Sequence, residues 1–210
     1  RENRIIIEGF HGLSDGYGIA ASFSTLAAEY LHLRYGLQIP DGYPVMNTSM
    51  VPLEAELEDS YLRYADVKPL HMPSRYSYQL PGCEASHDTI HESPMIFPVS
   101  HVLDAAHRHG VSITALLSAV MASSVMEVQR RHPCRKMRPV RIMVPIDLRR
   151  IFPSITLRNF ILYALPTMEP QEQTLSIMDL AHKFAKQMES HLKKDNLAGI
   201  IAYNVKTQDS

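Results

Sequence analysis

The sequence predicts a mixed α/β protein, and three features of it point that way. Val140 to Leu148 alternates apolar and polar residues in the two-residue period of a half-buried strand. Ile19, Phe23, Leu26, Tyr30 and Leu33 recur at spacings of four and three, as do Ile177, Leu180, Phe184, Met188 and Leu192, which is the period of an amphipathic helix. Short β-branched runs stand near such helices, as at Ile5-Ile6-Ile7.

In chain order, Arg4 to Glu8 reads as a short buried strand ended by Gly9. A loop leads to Asp15, a suitable N-cap for a helix that runs until Gly36 supplies its C-cap. Residues 37–55 carry Pro40, Asp41-Gly42, Pro44 and Pro52 and read as loop, and residues 56–65 as a short acidic helix. Proline, glycine and polar residues dominate from Val67 to His91. The expected division is therefore 1–66, a linker or crossover at 67–92, and 93–210.

The second half reads more regularly. Ser93 to Val99 is expected as a strand and Ser100 to His109 as a short helix ending at Gly110. A longer helix from Ser112 to about Arg131 would put Ile113, Leu116, Leu117, Val120, Met121 and Val128 on one side, with Pro133 marking its end. The strand at 140–148 has Val140, Ile142, Val144, Ile146 and Leu148 on its apolar face. Asn159 to Thr167 reads as another strand and 177–192 as a further helix.

Composition narrows the function classes. The 210 residues are 45% hydrophobic, enough for one large core or two small ones. Twenty-one Lys plus Arg against twenty-two Asp plus Glu leave a formal charge of −1, so no global field favours nucleic acid or an anionic membrane. Cys83 and Cys134 have no metal-ligand or CxxC spacing, which suits a reducing cytoplasm. No apolar run reaches the roughly 20 residues that span a bilayer. The chain opens at Arg1 without an initiator methionine, and the expectation is a piece of something longer.

The sharpest chemical signal is Phe10-His11-Gly12-Leu13-Ser14-Asp15-Gly16, expected between a strand and a helix. A neutral imidazole has the basicity to take a proton from an attacking alcohol, amine or thiol near pH 7. Asp15 at a helix start can cap the backbone and gain from the helix dipole, or orient the histidine loop through a buried ion pair. The plainer reading is a surface histidine in a turn before an ordinary capping aspartate. His87 and His91 stand at i and i+4 but lack the glutamate of HExxH, and their setting reads as loop, so no metal is expected. Neither GxSxG nor a nucleotide-binding glycine loop is present.

His11 to Gly16 resembles the HHxxxDG signature of the superfamily of chloramphenicol acetyltransferases, condensation domains and alcohol acyltransferases, with Phe10 in place of the first histidine. Val111 to Met121, then Val144-Pro145-Ile146-Asp147-Leu148-Arg149-Arg150 and Leu157-Arg158-Asn159-Phe160, are similar to the helix, "P-x-D-L-R" strand end and "G-N-F" strand that open the second lobe of these proteins. The resemblance implies a two-lobed CoA-dependent acyltransferase fold with mixed sheets, present here only in part. Residues 1–66 would be the end of the first lobe and 93–210 the start of the second.

It further implies His11 as general base, with Asp15, Gly16 and Arg149 structural at the active site. Arg149 would pair with Asp15, with Arg150 as the fallback; the plainer reading of the two arginines is a solvated turn. Acyl-CoA, or an acyl carrier protein, would be the donor and a small alcohol or amine the acceptor, with no bound cofactor. Ser14 or a backbone N–H could serve the oxyanion. The alternative from another class is a non-catalytic member of the same fold that binds a partner. The remainder of a longer chain, or further copies in a self-associating oligomer, would complete the unit.

Overall fold

A computed structural model describes residues 5–38, 45–72, 76–82, 93–132 and 136–208. Among them are seven α-helices: α1 (Gly16–Tyr35), α2 (Glu54–Leu57), α3 (Ser60–Arg63), α4 (Val99–Arg108), α5 (Ile113–Arg131), α6 (Ile177–His191) and α7 (Lys194–Gln208). Four short strands stand between α5 and α6: β1 (Val140–Arg141), β2 (Val144–Asp147), β3 (Ile161–Ala164) and β4 (Thr167–Met168). The class is mixed helix and strand as expected, with helix far ahead at 51% of the described residues against 7%. The strands form two two-stranded sheets, β1 with β4 and β2 with β3. The β1–β4 pair is antiparallel, Val140 opposite Met168 and Arg141 opposite Thr167. The chain divides into two compact units, residues 1–71, 146–162 and 197–210 in the first and 72–145 and 163–196 in the second.

The second unit is built on α5 and α6. Ser112 caps α5 by accepting from the Ala115 N–H at 3.1 Å, and Ser176 caps α6 by accepting from the Asp179 N–H. Ala115, Ala119 and Ala122 of α5 and Ala181 of α6 are buried, and such small side chains let two helix axes approach closely. Leu116, Met126, Leu180 and Phe184 fill the remaining volume with Val140, Ile142, Val144 and Met168. Each large side chain so buried stabilises the unit by roughly 1.5–3 kcal/mol.

The first unit has an aromatic centre. Phe160 and Phe152 are fully buried, with Tyr61 edge-on to Phe160 at 5.3 Å and Tyr64 at 5.0 Å from Phe152. The Tyr61 hydroxyl donates to the Ile161 carbonyl at 2.5 Å and accepts from the Ile161 N–H at 2.9 Å. Burial pushes the Tyr61 phenol above its ordinary value. Leu197 and Ile201 of α7 are buried, and the Leu70 N–H donates to the Gly199 carbonyl of that helix at 2.8 Å.

Several elements differ from expectation. Residues 5–8 are not in a strand, and Ile5 and Ile6 are exposed. A β-branched run becomes a strand only where a neighbour supplies the ladder. No strand is formed at 93–98 either; Pro98 is the N-cap of α4. The acidic helix is broken into α2 and α3 at Glu58, whose ψ of 149° is extended, and Asp59 then caps α3. The strand expected at 140–148 is two strands, although Val140, Ile142, Val144, Ile146 and Leu148 are all buried as the alternation requires. The strand expected at 159–167 is likewise divided, around Pro166. Helix α7 has no counterpart among the expected elements.

The buried face of two helices is also not the expected one. Helix α1 buries Gly18, Ala21, Thr25 and Ala28, while Phe23, Leu26, Tyr30 and Leu33 are exposed. Helix α5 buries its alanines together with Leu116 and Met126; of its expected face Leu116 is buried and Ile113 partly so, while Leu117, Val120 and Met121 are exposed. In α1 the small-residue face lies inward because it permits the closer approach; in α5 the three alanines do so beside Leu116 and Met126.

Candidate functional site

The turn at Gly12 and the start of α1 are tied to the loop that follows β2, and all the residues concerned belong to the first unit. Leu13 donates its N–H to the Phe10 carbonyl at 3.0 Å, closing the turn that carries His11. Asp15 follows with extended backbone and caps α1, its Oδ1 accepting from the N–H groups of Tyr17 at 3.0 Å and Gly18 at 3.2 Å. Its Oδ2 accepts from the Phe160 N–H at 2.8 Å and from Arg149 Nη1 at 2.8 Å. The carboxylate is thus held by four donors, and its side chain is 1% exposed.

Arg149 answers with a full complement. Nη1 reaches Asp15 and, at 3.1 Å, Asp147 Oδ1; Nε and Nη2 donate to the Thr156 carbonyl at 3.0 and 2.9 Å; Nη2 also reaches the Arg158 carbonyl at 2.7 Å. These five bonds match the five N–H donors of a guanidinium. The group lies over the Tyr17 ring, 4.6 Å from its centroid, and is 6% exposed. Of the two adjacent arginines, the one paired with Asp15 is Arg149; Arg150 is exposed.

Electrostatics follow from this geometry. Burial by itself would raise the Asp15 carboxyl, but the bonds from Phe160, Arg149 and Gly18 and the guanidinium charge outweigh it and hold the group below its ordinary value. Without Arg149 the Asp15 carboxylate would be buried with no cation beside it, and without Asp15 the guanidinium would keep only the more exposed Asp147.

His11 lies in the turn with its residue exposed, as does Phe10. Its carbonyl accepts a hydrogen bond from the Asn159 amide Nδ2. Ser14 Oγ donates to the Leu157 carbonyl at 2.5 Å, which commits the hydroxyl proton to the backbone. Gly16 opens α1, and a methyl group there would meet nothing within 4 Å. Gly18 is the sterically required glycine: a Cβ would overlap the Leu157 carbonyl oxygen and Ser14 Oγ.

Gly18, Thr156 and Asn159 belong to this constellation without having been singled out by the sequence as site residues. Thr156 is fully buried, donating to the Glu58 carbonyl at 2.7 Å and accepting from the Arg158 N–H at 3.2 Å, and so shapes the loop whose carbonyls receive Arg149. Asn159 precedes Phe160 in the stretch similar to "G-N-F", and that adjacency is the signal that could have found it. Among the described residues no three His, Cys, Asp or Glu side chains gather as metal ligands; His87 and His91 lie outside those residues. No single described helix is long and apolar enough to cross a membrane. No protein-family model matches the chain, and no curated protein matches it.

Proposed function

We propose that the protein is an acyltransferase that moves an acyl group from a CoA or carrier-protein thioester to a small alcohol or amine, with His11 as general base. Its main support is the 2.8 Å pair between Asp15 and Arg149, which joins the two stretches bearing the resemblance, HxxxDG and "P-x-D-L-R". In the reaction the imidazole takes the proton of the acceptor as its oxygen or nitrogen bonds to the thioester carbonyl carbon. The tetrahedral oxyanion then collapses, the carbon–sulfur bond breaks, and the thiolate recovers the proton. A thioester is already activated, so a positioned base and donors to the oxyanion suffice. Asp15, Arg149 and Asn159 act on the loop rather than on the substrate.

On this reading the chain holds the end of the first lobe and the start of the second lobe of the two-lobed fold, and it works in the cytoplasm. The second reading, a non-catalytic binding member of the same fold, is favoured by Phe10 in place of the first histidine and by the open position of both residues. Thiol release from acetyl-CoA by the full-length protein, offered a panel of alcohols and amines, separates the two. Release that depends on the acceptor supports the transferase; none supports the binding module.

A further inference from the structure

We infer that α1 is a self-association surface, its occupant the α1 of a second copy lying parallel and in register. The exposed side of this helix is not a random scatter of apolar residues. Ile19, Phe23, Leu26, Tyr30 and Leu33 follow the alternating four-and-three spacing of coiled-coil d and a positions without interruption. Phe23, Leu26 and Tyr30 are 39%, 47% and 47% exposed and Leu33 82%, so the seam is open over most of the helix.

The same heptad assigns Gly18, Ala21, Thr25 and Ala28 to positions c and f, and these are the four residues that α1 buries. The first unit therefore takes the side of the helix away from the seam; on the a/d side Ile19 is half-buried beside Gly9, and Phe23, Leu26, Tyr30 and Leu33 are exposed.

Charge selects both the partner and its direction. Glu29 stands at g and Arg34 five residues later at the e position of the next heptad. Glu29 Oε1 accepts from the Thr48 hydroxyl at 2.9 Å, a neutral contact, and no ion pair to Glu29 is formed among the described residues. In a parallel pair these g and e positions face each other, so Glu29 of each copy meets the arginine at position 34 of the other, and two-fold symmetry makes the contact twice. The remaining flanks, Ala20, Ser22 and Ala27, are small and uncharged and oppose nothing. An antiparallel pair centred on Leu26 would bring Glu29 against Ser22 and Arg34 against Ala20, forming no ion pair. Of the two arrangements, the parallel one pairs both charges.

The test is sedimentation of the full chain over a wide range of concentration. The expected result is a monomer–dimer equilibrium that Leu26→Glu abolishes while the circular dichroism spectrum is unchanged, since the side chain is half-exposed. Glu29→Arg alone and Arg34→Glu alone should each weaken the dimer by roughly tenfold, and the double exchange should restore it. Leu33→Cys, with Cys83 and Cys134 replaced by serine, should form a symmetric disulfide under mild oxidation. A monomer at every concentration, an association indifferent to Leu26→Glu, a double exchange that fails to recover, or a Leu33→Cys dimer that stays uncross-linked would each overturn the inference.

Discussion

Arg149 Nη1 lies 2.8 Å from Asp15 Oδ2, across 134 residues of sequence. The contact fastens the start of α1 to the turn after β2, and the other polar atoms of both side chains are committed to the same joint. Replacing Asp15 with Ala should therefore cost up to about 3–5 kcal/mol, because the buried guanidinium loses its buried partner and keeps only the more exposed Asp147, and the N–H groups of Tyr17, Gly18 and Phe160 lose their acceptor. Asp15→Asn should recover little, because its amide would turn N–H groups toward the donors of Phe160 or Arg149. Urea unfolding of the two variants checks both statements.

Arg149→Lys should be nearly as damaging as Arg149→Ala. An ammonium has three donors on a flexible stem and cannot reproduce the five bonds to Asp15, Asp147, Thr156 and Arg158. Comparable urea midpoints for the two variants, both well below the parent, are expected.

Gly18 and Gly16 should behave oppositely. Gly18→Ala drives a methyl into the Leu157 carbonyl and should cost roughly 1–3 kcal/mol. Gly16→Ala meets open space and should change stability by no more than about 1 kcal/mol. Thermal midpoints of the pair decide the point.

Acid should weaken the joint in a defined window. The Asp15 carboxyl is depressed in the folded state, so its contribution is fully present above the ordinary aspartate value of about 3.9 and is lost as pH falls through the lower folded value. His191 acts in a higher window: burial, then the Arg141 charge, lowers its imidazole, so stability should begin to decline below about pH 6.5 as the unfolded chain takes up the proton. His191→Gln should remove the decline near pH 6 and leave the limb below about pH 4. Unfolding free energies measured across this range test both assignments.

The parts legible in the sequence are those fixed by local chemistry. Asp15 before α1, Gly36 at its end with φ of 66°, and Ser112 and Ser176 before α5 and α6 act through atoms a few residues away, and each stands where its residue type suggests. The alternation at 140–148 identifies the correct buried set even though the strand is interrupted. What cannot be read depends on distant neighbours. Nothing in Ile5-Ile6-Ile7 says whether a strand lies beside it, and nothing in α1 says that its small residues rather than its larger side chains will face inward. Thr156 looks like any loop threonine until Glu58 and Arg158 are found beside it. The Asp15–Arg149 pair is reached through the family resemblance, since no spacing rule connects those positions.

Catalysis by His11 is decided by thiol release from acetyl-CoA, with an alcohol or amine acceptor, measured for the full-length protein and its His11→Ala variant. Acceptor-dependent release is expected in the parent, reduced about a hundredfold or more in the variant with the thermal midpoint unchanged. Equal release by parent and variant, or no release by the parent with any acceptor, would contradict the proposed role.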